Sequence, residues 1–62
     1  MVGDKRFSKK GTLMTCTSVV TTFENDRLQK MVIFKFLNEK GESRKSSMSE
    51  YAWFKNPPPP LS

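Results

Sequence analysis

The chain has 62 residues, 35% of them hydrophobic, with eleven Lys and Arg against six Asp and Glu for a net charge of +5. That length allows one domain with one thin core, and no apolar run approaches the roughly 20 residues a helical membrane span needs. With no histidine and a single cysteine, Cys16, the usual zinc sites, an intramolecular disulfide and the Ser-His and Cys-His nucleophile pairs all drop out.

Residues 1–10 carry Lys5, Arg6, Lys9 and Lys10 against Asp4 and show no periodicity, so they read as a flexible basic arm. No apolar signal-like segment opens the chain, and an intracellular, cytoplasmic protein is expected. After Gly11, residues 12–23 are crowded with Thr and Val, which favour an extended strand. Glu24-Asn25-Asp26-Arg27 is a turn, because the short side chains of Asn and Asp tolerate positive φ.

Lys30–Leu37 is the most apolar stretch and the natural central strand. Alternation sends Val32, Phe34 and Phe36 to one face, and Met31, Ile33, Lys35 and Leu37 to the other. Continuous pairing from the Asn25-Asp26 turn predicts Phe23 opposite Leu28, Val20 opposite Met31, Val19 opposite Val32 and Thr17 opposite Phe34. Leu13 then joins the Val32 face, while Met14, Cys16 and Val20 join the Met31 face. Asn38-Glu39-Lys40-Gly41 forms the second turn, and residues 42–47 form a charged edge strand.

Ser47-Met48-Ser49-Glu50 matches a capping box, predicting a two-turn helix over residues 48–55 that ends before Pro57. Pro57–Pro60 should run as polyproline II, either stiffening the end of the chain or offering Pro57–Leu61 to a proline-binding groove. The expected fold is mainly β: a three-stranded antiparallel meander, curled into an SH3-like barrel or left as a sheet, with a short C-terminal helical turn. The boundaries are a basic arm at 1–10, one β domain at 11–56 and a proline-rich tail at 57–62.

No pair of carboxylates is embedded in apolar sequence, where their pKa values would split for acid–base work, so a non-enzymatic protein without cofactor or metal is expected. Two classes of function fit. One is a basic module that binds DNA or RNA with low sequence specificity through Lys9, Lys10, Lys35, Arg44 and Lys45, with Trp53 as a stacking ring. Its motive is a cross-strand cation pair, Lys35 with Arg44 or Lys45 according to loop length, which destabilises a sheet unless an anion sits there. The other is an adaptor or inhibitor that regulates a protein partner, or pairs with a second copy, through an apolar face of Met14, Val20, Met31, Ile33 and Leu37. Neither involves a membrane.

Overall fold

The computed structural model describes residues 1–58; Pro59 and Pro60, half of the expected polyproline run, lie outside the described residues. Four strands form one antiparallel sheet in the order β1 (Lys5–Phe7), β2 (Leu13–Glu24), β3 (Arg27–Leu37) and β4 (Ser43–Ser49), followed by helix α1 (Glu50–Lys55). The sheet stays open: β1 and β4 are its two edges and do not pair, so the barrel expectation is replaced by a sheet with a helix on one face. A three-residue β1 offers little ladder for closure, and the helix already covers the apolar face.

β1 is the element the sequence reading placed in a flexible arm. A tight loop holds it in place. Ser8 N–H donates to the Thr12 carbonyl and Gly11 N–H to the Ser8 carbonyl, with Gly11 at φ +85°. Ser8 Oγ accepts from the N–H groups of Lys10 and Thr12. The β3–β4 loop repeats the device. Asn38 N–H donates to the Glu42 carbonyl, Gly41 (φ +78°) closes on Asn38, and Asn38 Oδ1 accepts from Lys40 and Glu42. Both loops end in a left-handed glycine, a conformation that costs a residue with Cβ. The outer edge of β1 is itself partly covered, since Phe7 N–H donates to the Pro57 carbonyl over 2.9 Å.

Between β2 and β3 the expected register holds from the turn inward: Phe23 faces Leu28, Val20 faces Met31 and Val19 faces Val32. Asn25 and Asp26 take φ of 51° and 58°, the paired positive values of a two-residue hairpin turn. Then Thr17 bulges out. Ser18 lies opposite Ile33 but Cys16 opposite Phe34, so Thr17 is the unmatched residue, and its Oγ1 donates to the Ile33 carbonyl over 3.2 Å. Everything N-terminal to Thr17 changes face relative to an unbroken ladder. Met14 and Cys16 move under the helix, where they are buried, and Leu13 moves to the open face, 41% exposed.

The core is Met14, Cys16, Val32, Phe34 and Trp53, flanked by Val19, Phe36 and Met48. Trp53 is sealed completely, with its ring centroid 5.7 Å from that of Phe34. Its Nε1–H points at Asp4 Oδ2 over 3.5 Å. Arg6 ties β1 to the helix: Nη1 donates to the Asn56 carbonyl over 3.0 Å and the guanidinium lies 5.2 Å from the centre of the Phe54 ring.

The helix starts later than the capping box implies. Ser47 remains in the ladder opposite Ile33, and Ser49 is the cap, its Oγ accepting from Ala52 N–H. β4 keeps pairing up to Met31 opposite Ser49, so the strand outcompetes the earlier cap. The expected stop holds: Asn56 closes α1 by donating its N–H to the Trp53 carbonyl.

Two outcomes follow for stability. Trp53→Ala should lose about 3–5 kcal/mol, a large part of the ~3–9 kcal/mol expected of a 62-residue domain, so its urea midpoint should fall far below the parent's or the transition should vanish. Asp26→Gly removes a Cβ from a left-handed position and should add roughly 0.5–1 kcal/mol, seen as a higher urea midpoint with an unchanged slope.

Candidate functional site

Residues directly opposite one another in an antiparallel sheet project to the same face. The ladder pairs Lys5 with Thr15, Thr15 with Lys35, and Lys35 with Lys45. One transverse row therefore reads Lys5, Thr15, Lys35, Lys45 across all four strands, on the face away from the helix. Adjacent strands sit about 4.8 Å apart, so the row spans ~14 Å at its base. All three lysines are exposed.

None of the three has an anionic partner among the described residues, where the ion pairs are Arg6–Asp4 at 3.9 Å and Arg44–Glu42 at 3.7 Å. Lys35 lies beside an open groove lined also by Leu13, Thr15, Leu37, Asn38 and Ser43, with Glu39 at its rim but not within ion-pair distance. The three-residue form of the second turn is the one adopted, since Lys35 meets Lys45. Arg44 stands opposite Phe36 and so projects to the helix side, with Glu42 close by. Lys9 and Lys10 are exposed on the β1–β2 loop, at the same end of the sheet as the row.

The fold also sorts charge lengthwise. Both tight loops lie at one end of the sheet, and the Asn25-Asp26 turn lies at the other. Residues 1–15 and 35–46, which make up the loop end, hold eight cations and three carboxylates, a net of +5. The rest of the chain holds three of each and is neutral. The whole net charge thus sits at the end that carries the lysine row.

Trp53, expected as a stacking ring, is fully buried and is a core residue. Met14, expected on a protein-binding face, is likewise buried under the helix because of the Thr17 bulge. Val20, Met31, Ile33 and Leu37 do share the open face, with Val20 40% and Leu37 62% exposed and Met31 and Ile33 half-buried. Lys5 was expected only as part of a flexible basic arm that could touch phosphates, and its place in the row was not foreseen because β1 was not. The shared pattern of Ser8-Lys9-Lys10-Gly11 and Asn38-Glu39-Lys40-Gly41, a polar residue three before a glycine, is the signal that points to a hairpin there.

Among the described residues, no cluster of three or more metal-ligating side chains occurs, and no helix is long and apolar enough to cross a membrane. No protein-family model, curated protein or solved structure matches the chain.

Like charges placed opposite each other weaken a sheet. Lys45→Glu should therefore raise the melting temperature by about 2–4 °C in low salt, an effect that fades as added salt screens the pair. Calorimetry at two ionic strengths checks both parts.

Proposed function

We propose that the protein binds nucleic acid with low sequence specificity through its phosphates, using the lysine row on the open face of the sheet. The observation that carries this is the row itself: Lys5, Lys35 and Lys45 in one line, without carboxylate partners among the described residues, at the end holding all of the net charge. Lys35 opposite Lys45 is unfavourable in the free sheet and becomes favourable when a polyanion lies across both. Lys9 and Lys10 add positive charge at the same end of the sheet, although Lys10 borders the helix-side cavity of Met14, Phe34 and Met48 rather than the row. Thr15 between Lys5 and Lys35 can donate a hydroxyl to a phosphate oxygen, a contact that positions without reading sequence.

The ladder neighbours of the row are Leu13, Ile33, Leu37, Ser43 and Ser47, and the nearby Asn38 spends its Oδ1 on the backbone N–H groups of its own turn. These side chains lack the paired donors and acceptors that read base edges, which supports low specificity. The same apolar residues support a second reading, a protein partner or second copy on the Val20, Met31, Ile33, Leu37 surface. The lysines crossing that surface weigh against a self-contact, which would bring like charges together.

Binding should weaken steeply with salt, since each neutralised phosphate contributes about −0.9 to the slope of log K against log salt concentration on duplex DNA. In anisotropy titrations, replacing Lys5, Lys35 and Lys45 together by Ala should flatten that slope by roughly 2–3, whereas Lys30→Ala in the neutral half should not move it. Affinity indifferent to salt, or a triple variant that binds like the parent, would remove the proposal. Lys45→Glu separates the two roles of the row, because it should stabilise the fold and weaken binding at once.

A further inference from the structure

Where the aromatic rings lie decides which form of nucleic acid the surface suits. Single strands are held by bases stacking on exposed rings set beside a cationic track. Here the chain has seven aromatic residues, and almost none stands on the lysine face. Trp53 and Phe34 are buried in the core, and Phe36 packs beside Phe34 on the helix side with centroids 6.0 Å apart.

Three rings are well exposed, and all lie elsewhere. Phe23 projects at the far tip of the β2–β3 ribbon, on the face shared with Val19 and Val32. Tyr51 and Phe54 belong to the helix, and each already carries a cation from its own chain: Lys55 Nζ 4.4 Å from the Tyr51 ring centre, and Arg6 over Phe54. On the lysine face the one ring is Phe7, opposite Leu13 at the edge and half-buried.

The row has a second property that bears on the ligand. Lys5 stands two strands from Lys35, ~10 Å at the base, with uncharged Thr15 between them, while Lys35 and Lys45 are neighbours at about 5 Å. Two cationic points separated by a gap of this size can reach phosphates on opposite sides of a groove, the major groove of B-form DNA being about 12 Å wide. A single strand has no second backbone across a groove, and without stacking rings on this face it would be held by phosphate contacts alone. Ladder hydrogen bonds hold this spacing at the backbone, while the exposed lysine stems keep the freedom to reach toward phosphates.

We infer that the ligand is a double helix, gripped through both phosphate backbones by Lys5 on one side and the Lys35–Lys45 pair on the other. The inference rests on the nucleic-acid function proposed above and narrows it. It also assigns Lys5 a role distinct from that of its neighbours, because Lys5 alone supplies the second anchoring point.

Anisotropy at one low salt concentration with a labelled 20-base-pair DNA duplex, each of its separated strands and an RNA duplex of the same sequence is the test. The expected result is at least tenfold tighter binding of one or both duplexes than of either strand. Lys5→Ala should erase most of that preference, and Phe7→Leu, which removes the ring and keeps apolar volume, should leave duplex binding within twofold. A single strand that binds as tightly as the better duplex, or binding that collapses in a folded Phe7→Leu protein, would overturn the duplex assignment while leaving a nucleic-acid function standing. If no duplex or strand binds, both fall.

Discussion

A single unmatched residue, Thr17, sets which side chains are inside this sheet and which are outside. With an unbroken ladder, Thr17 would face Phe34, and Cys16 would stand opposite Lys35 on the open side. Because Thr17 bulges, Cys16 faces Phe34 and Thr15 faces Lys35. The same shift buries Met14 and Cys16 beneath Trp53 and places a small polar residue between two lysines. Core and surface row therefore share one cause, and the Thr17 hydroxyl, bonded to the Ile33 carbonyl, helps hold the irregularity in place.

The fold manages with a one-sided core. One helix of six residues covers the apolar face, and Trp53 supplies most of the contact volume that so short a helix can offer. Arg6 and Asp4 reach across from the N-terminal edge to the helix end and to the indole N–H, so β1 is fastened to the helix as well as to β2. The arrangement frees the other face of the sheet from packing duties. That face then carries three lysines with no ion-pair partner among the described residues, set among exposed and half-buried aliphatic side chains, a pattern with no benefit to stability and a use on a polyanion.

What could be read from the residues follows from how local each signal is. The β2–β3 hairpin was legible because Asn25-Asp26 is a turn with its own chemistry and the flanking Thr, Val, Ile and Phe residues favour strands. The end of the helix was legible from Pro57, and the Lys35 pair from a turn of few possible lengths. The bulge was not, since nothing in Cys16-Thr17-Ser18 distinguishes an unmatched residue from a matched one; burial of Met14 and Cys16 selects it. That one miss misplaced Met14 in the candidate protein-binding face. β1 was hidden because Lys5-Arg6-Phe7 has no alternation to read and is made a strand by its neighbour. Trp53 reads as a stacking ring because its complete burial depends on where β4 hands over to the helix, two residues later than Ser47 suggests.

The placement of Thr15 opposite Lys35, with Cys16 opposite Phe34, is thus the hinge between the core and the proposed binding surface. Cross-strand nuclear Overhauser contacts in the free protein measure it directly. Backbone contacts linking Cys16 to Phe34 and Thr15 to Lys35, with Thr17 matched to no residue of β3, are the result this structure predicts. Contacts pairing Thr17 with Phe34 and Cys16 with Lys35 would show an unbroken ladder, and would contradict both the buried Met14–Cys16 core and the lysine row.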